Sequence, residues 1–472
     1  MMPTTLAASV PTGTRRLARS LTIACAGLCA CAHFPLNEPL ARTDPTYGYR
    51  ISATSGDEDD SRELLLVVTF SGGGMRAAAF AYGALQALAD ARVRFDGRER
   101  ALVDEIDVLS SVSGGSFTSA YFALHGRRIF EDFEARFLRR DVERALLRRM
   151  LSPPSWVRLA SPWFGRSDLA AEYYDELLFQ GATLGDLLTG DGPALIVNAT
   201  DITLATRFAF EQAQFDLLCS DSLRFPIARA VAASAAVPGV LSPITLRSYA
   251  AQGCGYDPPD WVGEELARGE GTTRRRLEAR RIAAHLAPGV DWVHLLDGAL
   301  TDNLGLRLTI ENAAAAGGYA RLTAQAGFTR FRRVVYLVVN AQTDAPREWS
   351  RSARSPGALS ALVHASTVVV NRYNFETIEL LRQSLERWVD ELRKARCAER
   401  LGAAECADVR AHLVEVSFAE DPDPAERAYL SALPTGLRLG AEDVRRVAAA
   451  ARRALSSSSA FRAVLADLAT RP

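Results

Sequence analysis

The chain has 472 residues, 48% of them hydrophobic and 24% charged, with a formal net charge of −1. That is globular composition, with length for one large domain or two ordinary ones. With the balance so near zero, nothing suggests a nucleic-acid partner.

The amino terminus reads as an export signal. Arg15, Arg16 and Arg19 form a positive region, and Ser20–Ala30 is a small, apolar run too short to span a bilayer. Leu28-Cys29-Ala30-Cys31 resembles a bacterial lipobox, which would make Cys31 the lipidated first residue of the mature chain. Cys25 and a plain secretory signal are the alternatives. The expected location is the periplasmic side of a bacterial envelope membrane, held there by a lipid anchor. Cys219, Cys254, Cys397 and Cys406 remain beyond the signal, an even number that permits two disulfides in an oxidising compartment. The sequence leaves the pairing open. Nearest neighbours suggest Cys219–Cys254 and Cys397–Cys406. No CxxC pair occurs and the histidines are scattered, so neither a metal site nor any cofactor is expected.

Residues 32–62 are polar, with Gly56-Asp57-Glu58-Asp59-Asp60, and read as a flexible tether. Folded sequence begins with the apolar strand Leu64–Phe70, suited to a sheet covered on both faces. Ser71-Gly72-Gly73-Gly74-Met75-Arg76 follows and opens a small-residue helix. A glycine turn into a helix start presents backbone N–H groups on one concave face, suited to a phosphate or an oxyanion. The same glycines would also serve as a packing turn, and no Walker lysine follows them.

Ile106, Val108, Leu109 and Val112 make a second short strand, ending in Ser113-Gly114-Gly115 and another helix. A strand turned sharply into a helix through Ser-Gly-Gly is the build of a nucleophile elbow. The positions two before and two after the serine, Ser111 and Gly115, must be small. Residues 130–166 mix Phe and Trp with Arg and are broken by prolines, a cap packed over the sheet that also suits a membrane surface. Pro193–Asp201 is a buried strand with Thr206–Gln212 as its hairpin partner, and Ala228–Ala236 is a small-residue helix in which Ser234 reads as a packing residue. Residues 257–286 form a charged, helical surface insertion. Val293–Leu296 then delivers Asp297-Gly298-Ala299, a turn that holds a carboxylate at a strand end, where open α/β sheets place their chemistry. Arg333–Asn340 and His412–Phe418 are further strands, and Leu359–Arg396, Asp443–Leu455 and Phe461–Leu468 are helices. The fold class is α/β, a mostly parallel sheet with helices on both faces.

Gly72-Gly73-Gly74-Met75-Arg76, Ser113-Gly114-Gly115 and Asp297-Gly298-Ala299, in that order, resemble the patatin-like phospholipase family. The resemblance spans residues 64–340 and implies a three-layer catalytic domain over 63–345, with 346–472 a helical part with one further strand packed on it. It implies Ser113 as nucleophile and Asp297 as base, a dyad without histidine. It implies an oxyanion hole among the amides of Gly72, Gly73, Gly74 and Met75. Arg76, Gly115 and Gly298 are supporting residues, Arg76 either anchoring the loop or facing a substrate phosphate. The chain departs from the family at Ser111, where glycine is usual. The implied reaction is hydrolysis of a lipid or lysolipid ester through an acyl-serine. The competing readings are a Ser-His-Asp esterase using His412 and an inactive lipid-binding envelope protein.

Overall fold

The computed structural model describes residues 36–54, 63–95, 98–268, 271, 273–328, 331–343, 351, 353–355, 357–398, 406 and 408–469. The signal region with Cys31 and the acidic run 56–60 lie outside the described residues.

In chain order the strands are β1 (Leu64–Phe70), β2 (Arg92–Phe95), β3 (Arg98–Ala101), β4 (Val108–Val112), β5 (Ala194–Asp201), β6 (Thr206–Ala209), β7 (Ile244–Arg247), β8 (Trp292–Asp297), β9 (Arg333–Asn340) and β10 (Arg410–Ser417). The main sheet has the order β10-β9-β1-β4-β5-β8-β7, with β6 also paired to β5. Neighbours from β10 through β5 run parallel, whereas β8 is antiparallel to both β5 and β7. Strand β1 shows why both faces must be covered. Leu64, Leu66, Val68 and Phe70 enter one core, while Leu65 and Val67 enter a second one on the opposite face. Alternate side chains of a strand point to opposite faces, so an all-apolar strand calls for packing on both.

The helices that matter for the site are α1 (Gly74–Asp90), α2 (Gly114–His125), α3 (Val142–Met150), α4 (Pro153–Leu159), α5 (Arg166–Tyr174), α6 (Ile227–Ser234), α7 (Ala299–Asp302), α8 (Arg307–Ala316), α9 (Ala358–Ala398) and α10 (Ala441–Ser457). Helices α1 and α10 pack so closely that a Cβ on Gly83 would lie 2.2 Å from the Ala448 carbonyl oxygen. Among the described residues no helix is long and apolar enough to cross a membrane.

The tether expectation fails for residues 36–54, which lie against the body. Leu40 N donates to Cys219 O at 2.8 Å, and Thr43 N to Cys254 O at 2.9 Å. Tyr49 is fully buried, and its hydroxyl donates to Leu195 O and accepts from Leu195 N. The strap is held by single anchors such as Asn37 and Tyr49 rather than by a periodic apolar face, so its sequence shows no element. The loop that receives it is closed by the Cys219–Cys254 disulfide, and Cys397 is bonded to Cys406.

Candidate active site

The elbow is formed as its residue types require. Ser113 has φ 51° and ψ −122°, left-handed backbone that a non-glycine residue adopts only under strain. The turn is tight because α2 begins at once beneath β1. A Cβ on Gly115 would lie 2.7 Å from Phe70 Cβ and 2.8 Å from the carbonyl oxygens of Phe70 and Ser71. Ser111, the departure from the family pattern, is fully buried, and its hydroxyl accepts from Ser119 Oγ at 2.6 Å. The extra oxygen therefore has a partner.

Sheet register brings the acid to the serine. Val112 pairs with Asn198 across β4 and β5, and the next residue, Ala199, pairs with Asp297 across β5 and β8. Ser113 and Asp297 thus stand level, with one strand between them, and two short side chains close the gap. Ser113 Oγ donates to Asp297 Oδ2 at 2.8 Å. Both residues are buried. Burial pushes the Asp297 carboxyl up to about 6, against the pull of hydrogen bonds from Ala299 N and the Ser113 hydroxyl. Gly298 allows the turn to sit on β5, since a Cβ there would lie 2.3 Å from Asn198 O.

The glycine loop divides the four expected oxyanion donors. Gly72 N already donates to Asn303 O at 3.1 Å, and Met75 N to Gly436 O at 2.7 Å. These two amides are committed to the fold, which corrects the expectation that they face the substrate. The amides of Gly73 and Gly74 have no acceptor among the described residues. Gly73 (φ 140°) and Gly74 (φ 62°) hold conformations open to glycine and strained for other residues. Gly114 N, at the first turn of α2, also has no acceptor among the described residues, and Gly114 packs directly on Gly74. Sequence reasoning did not count it, although the residue after a nucleophile at an elbow is a regular donor.

Arg76 is an anchor. Its guanidinium donates to Ala341 O, Leu433 O and Thr435 Oγ1, at 3.2, 2.6 and 3.2 Å. Only 3% of it is exposed, and burial lowers its pKa to about 10. It is occupied in holding segment 433–436 over the glycine loop, which removes the alternative that it faces a substrate phosphate.

Ser234 does more than pack, contrary to the expectation from the sequence. Its hydroxyl accepts from Ser113 N at 2.8 Å and donates to Asn198 O at 2.6 Å, and its carbonyl accepts from Gly298 N at 3.2 Å. One residue at the end of α6 therefore binds both the serine turn and the aspartate turn. No local signal marked it, because its partners lie 121 and 36 residues away.

Among the described residues no histidine is hydrogen-bonded to Ser113 or Asp297. His412 Nε2 pairs with Asp467 Oδ2 at 2.9 Å, His294 meets Thr245, His285 meets Gln214 and His125 meets Leu178 O. The arrangement is thus a strained hydroxyl aimed at a buried carboxylate, beside backbone donors that have no acceptor among the described residues.

These features define an α/β fold whose sheet register brings a serine hydroxyl and a buried aspartate carboxylate together. The family model for patatin-like phospholipases matches residues 68–310, a little over half of the 472, and the chain belongs to that family. Among solved structures, human GIVD cytosolic phospholipase A2 is similar at 13% identity and a TM-score of 0.44, over 89% of this chain and 62% of that one. The same human enzyme in complex with methyl gamma-linolenyl fluorophosphonate and terbium chloride matches at 14% identity and a TM-score of 0.40 over the same shares. The chain therefore spans less than two thirds of the length of these structures. No curated protein sequence matches it.

Proposed function

We propose that the protein is a serine lipid acyl hydrolase of phospholipase A or lysophospholipase type. The observation that carries this is the 2.8 Å hydrogen bond from Ser113 Oγ to Asp297 Oδ2, beside the amides of Gly73 and Gly74, which have no acceptor among the described residues. Ser113 Oγ attacks the acyl carbonyl carbon as its proton passes to Asp297 Oδ2. The carbonyl oxygen becomes an oxyanion, received by the amides of Gly73, Gly74 and, at the helix start, Gly114. The protonated Asp297 then gives its proton to the departing alkoxide, and the ester bond breaks to leave an acyl-serine. Water repeats the sequence, its proton going to Asp297, and the freed Ser113 oxygen takes that proton back as the fatty acid leaves.

A carboxylate of ordinary pKa is a weak base for a hydroxyl, and burial narrows that gap by raising Asp297 to about 6. The direct contact supports a dyad over a triad, since no described histidine reaches either group. The retained serine, aspartate and free amides favour an enzyme over an inactive lipid-binding protein. The export signal and Cys31 further lead us to place the protein on the periplasmic side of a bacterial envelope, tethered by its lipidated terminus.

The test is labelling of the purified protein by a fluorophosphonate, with release of fatty acid from a panel of phospholipids, lysophospholipids and monoacylglycerols. Labelling and release, both lost in Ser113→Ala, are expected. A folded wild-type protein that neither labels nor hydrolyses any panel member overturns the proposal.

A further inference from the structure

Segment 136–166, which contains α3 and α4, straddles the site. At one end Glu143 N donates to Leu437 O at 3.4 Å, next to the Leu433–Gly436 stretch that binds Arg76 and the Met75 amide. At the other end α5 is tied to the loop between α6 and β7. Ser167 N donates to Ser242 Oγ at 3.1 Å, and the buried Asp168 pairs with the buried Arg229 of α6 at 3.2 Å. Helix α6 ends at Ser234, on the nucleophile turn. The cap therefore joins the oxyanion side of the site to the aspartate side.

Its inner face is packed as a cap should be, with Val142 and Leu146 buried. Its outer face also carries large apolar side chains among its arginines. Leu147, Leu151, Trp156 and Trp163 are 55%, 60%, 58% and 54% exposed. The neighbouring loop and the turn after Asp297 continue the pattern, with Val240 65% and Leu300 39% exposed. Large exposed apolar side chains on elements tied to one site suit a contact surface.

Charge identifies the occupant. Residues 136–166 hold eight arginines against Asp141 and Glu143, within a chain whose net charge is −1. Four of the eight pair with nearby carboxylates. Arg140, Arg144, Arg148 and Arg166 are exposed and have no carboxylate partner among the described residues. Exposed tryptophan beside unpaired arginine suits the boundary between lipid headgroups and acyl chains, where the indole sits in the interface and the guanidinium binds phosphate.

We propose that this face, the outer side of α3 and α4 with Trp163, Val240 and Leu300, docks onto an anionic phospholipid surface and sets the Ser113 site against it. The purpose of the docking rests on the lipid-hydrolase reading, but the binding does not.

The test uses the full chain carrying Cys31→Ser, so that no acyl anchor forms, and Ser113→Ala, so that no turnover occurs. Its partition is measured onto vesicles of phosphatidylglycerol and phosphatidylcholine in equal parts and onto phosphatidylcholine alone. Preference for the anionic vesicles is expected. Arg144→Ala with Arg148→Ala should weaken that partition about 30-fold, on the scale of about fivefold per arginine near such a surface. Trp156→Ala with Trp163→Ala should weaken it about tenfold or more. All four positions are exposed, so far-ultraviolet circular dichroism should match the parent. No binding by the parent, or both double variants binding like the parent, overturns the proposal. A parent that dimerises through this face, with monomeric variants and no vesicle preference, assigns the face to a second copy and overturns it too. Fluorophosphonate labelling of the Cys31→Ser chain separates the two readings. Labelling without vesicle binding sinks the docking alone, and vesicle binding without labelling sinks the hydrolase alone.

Discussion

Asp297 and Asp302 lie five residues apart, and burial pushes both up to about 6. Each sits beside backbone amides: Ala299 N donates to Asp297, and Leu306 N and Arg307 N donate to Asp302. Their remaining surroundings differ. Asp297 takes a hydroxyl from Ser113 and, among the described residues, has no arginine against it. Asp302 ties down the start of α8 and faces the charge of Arg207, which is itself paired with Glu311 at 2.8 Å. A raised pKa therefore does not mark a base by itself. What marks one is a donor with chemistry to perform and backbone amides waiting for the resulting charge. Asp302 is a structural acid, and its neighbour Asn303 passes its rigidity on to the glycine loop by accepting from Gly72 N.

Predictions follow from that contrast. Removing either dyad member should cost the most. Ser113→Ala and Asp297→Asn should each lower ester turnover by about 10⁴-fold or more, on the scale of triad deletions in serine hydrolases. Steady-state rates with a soluble ester check this, and retention of a tenth of the activity in Asp297→Asn would remove it from the role of base.

Acidity should act on the same group. A base raised to about 6 is ionised above that pH and protonated below it. kcat/KM should therefore be level above pH 7 and fall about tenfold per unit below 6. An acid limb centred near 4 would show that burial does not tune Asp297.

Ser234→Ala deletes the acceptor for Ser113 N and leaves a buried donor unpaired. About 10²-fold should be lost in kcat, with KM changed less than about threefold, because the turn rather than the binding surface is released. Ser234→Thr should restore most of the rate. A KM effect with kcat intact would make Ser234 a packing residue after all.

Asp302→Asn provides the counterpart. It should lower stability by about 1–3 kcal/mol, since a buried carboxylate that binds two amides and offsets Arg207 is altered. Turnover should stay within about threefold, and the acid limb should not move. Loss of the acid limb in this variant would mean the two aspartates had been assigned the wrong way round. The smallest effect belongs to His412→Ala. Its partner is Asp467, away from the dyad, so activity should remain within about twofold of the parent.

The chain by itself was enough for the features that arise within a few residues. Strand, triple glycine and helix, strand, Ser-Gly-Gly and helix, and strand, Asp and Gly are local patterns, because backbone strain and helix starts act over short range. The mixed apolar and cationic cap was equally legible as composition. Folding alone decided what those parts meet. Register across β5 places Asp297 level with Ser113. Asn303 and Gly436, 231 and 361 residues beyond their partners, occupy two of the four amides in the glycine loop. Ser234 joins the two turns, and Tyr49 and Asn37 fasten a strap whose sequence looked like a tether. Each of these depends on a single hydrogen bond or one buried side chain between distant segments. Such contacts leave no periodicity in a sequence, and burial, which raises Asp297, is a property of the packed molecule rather than of any one stretch.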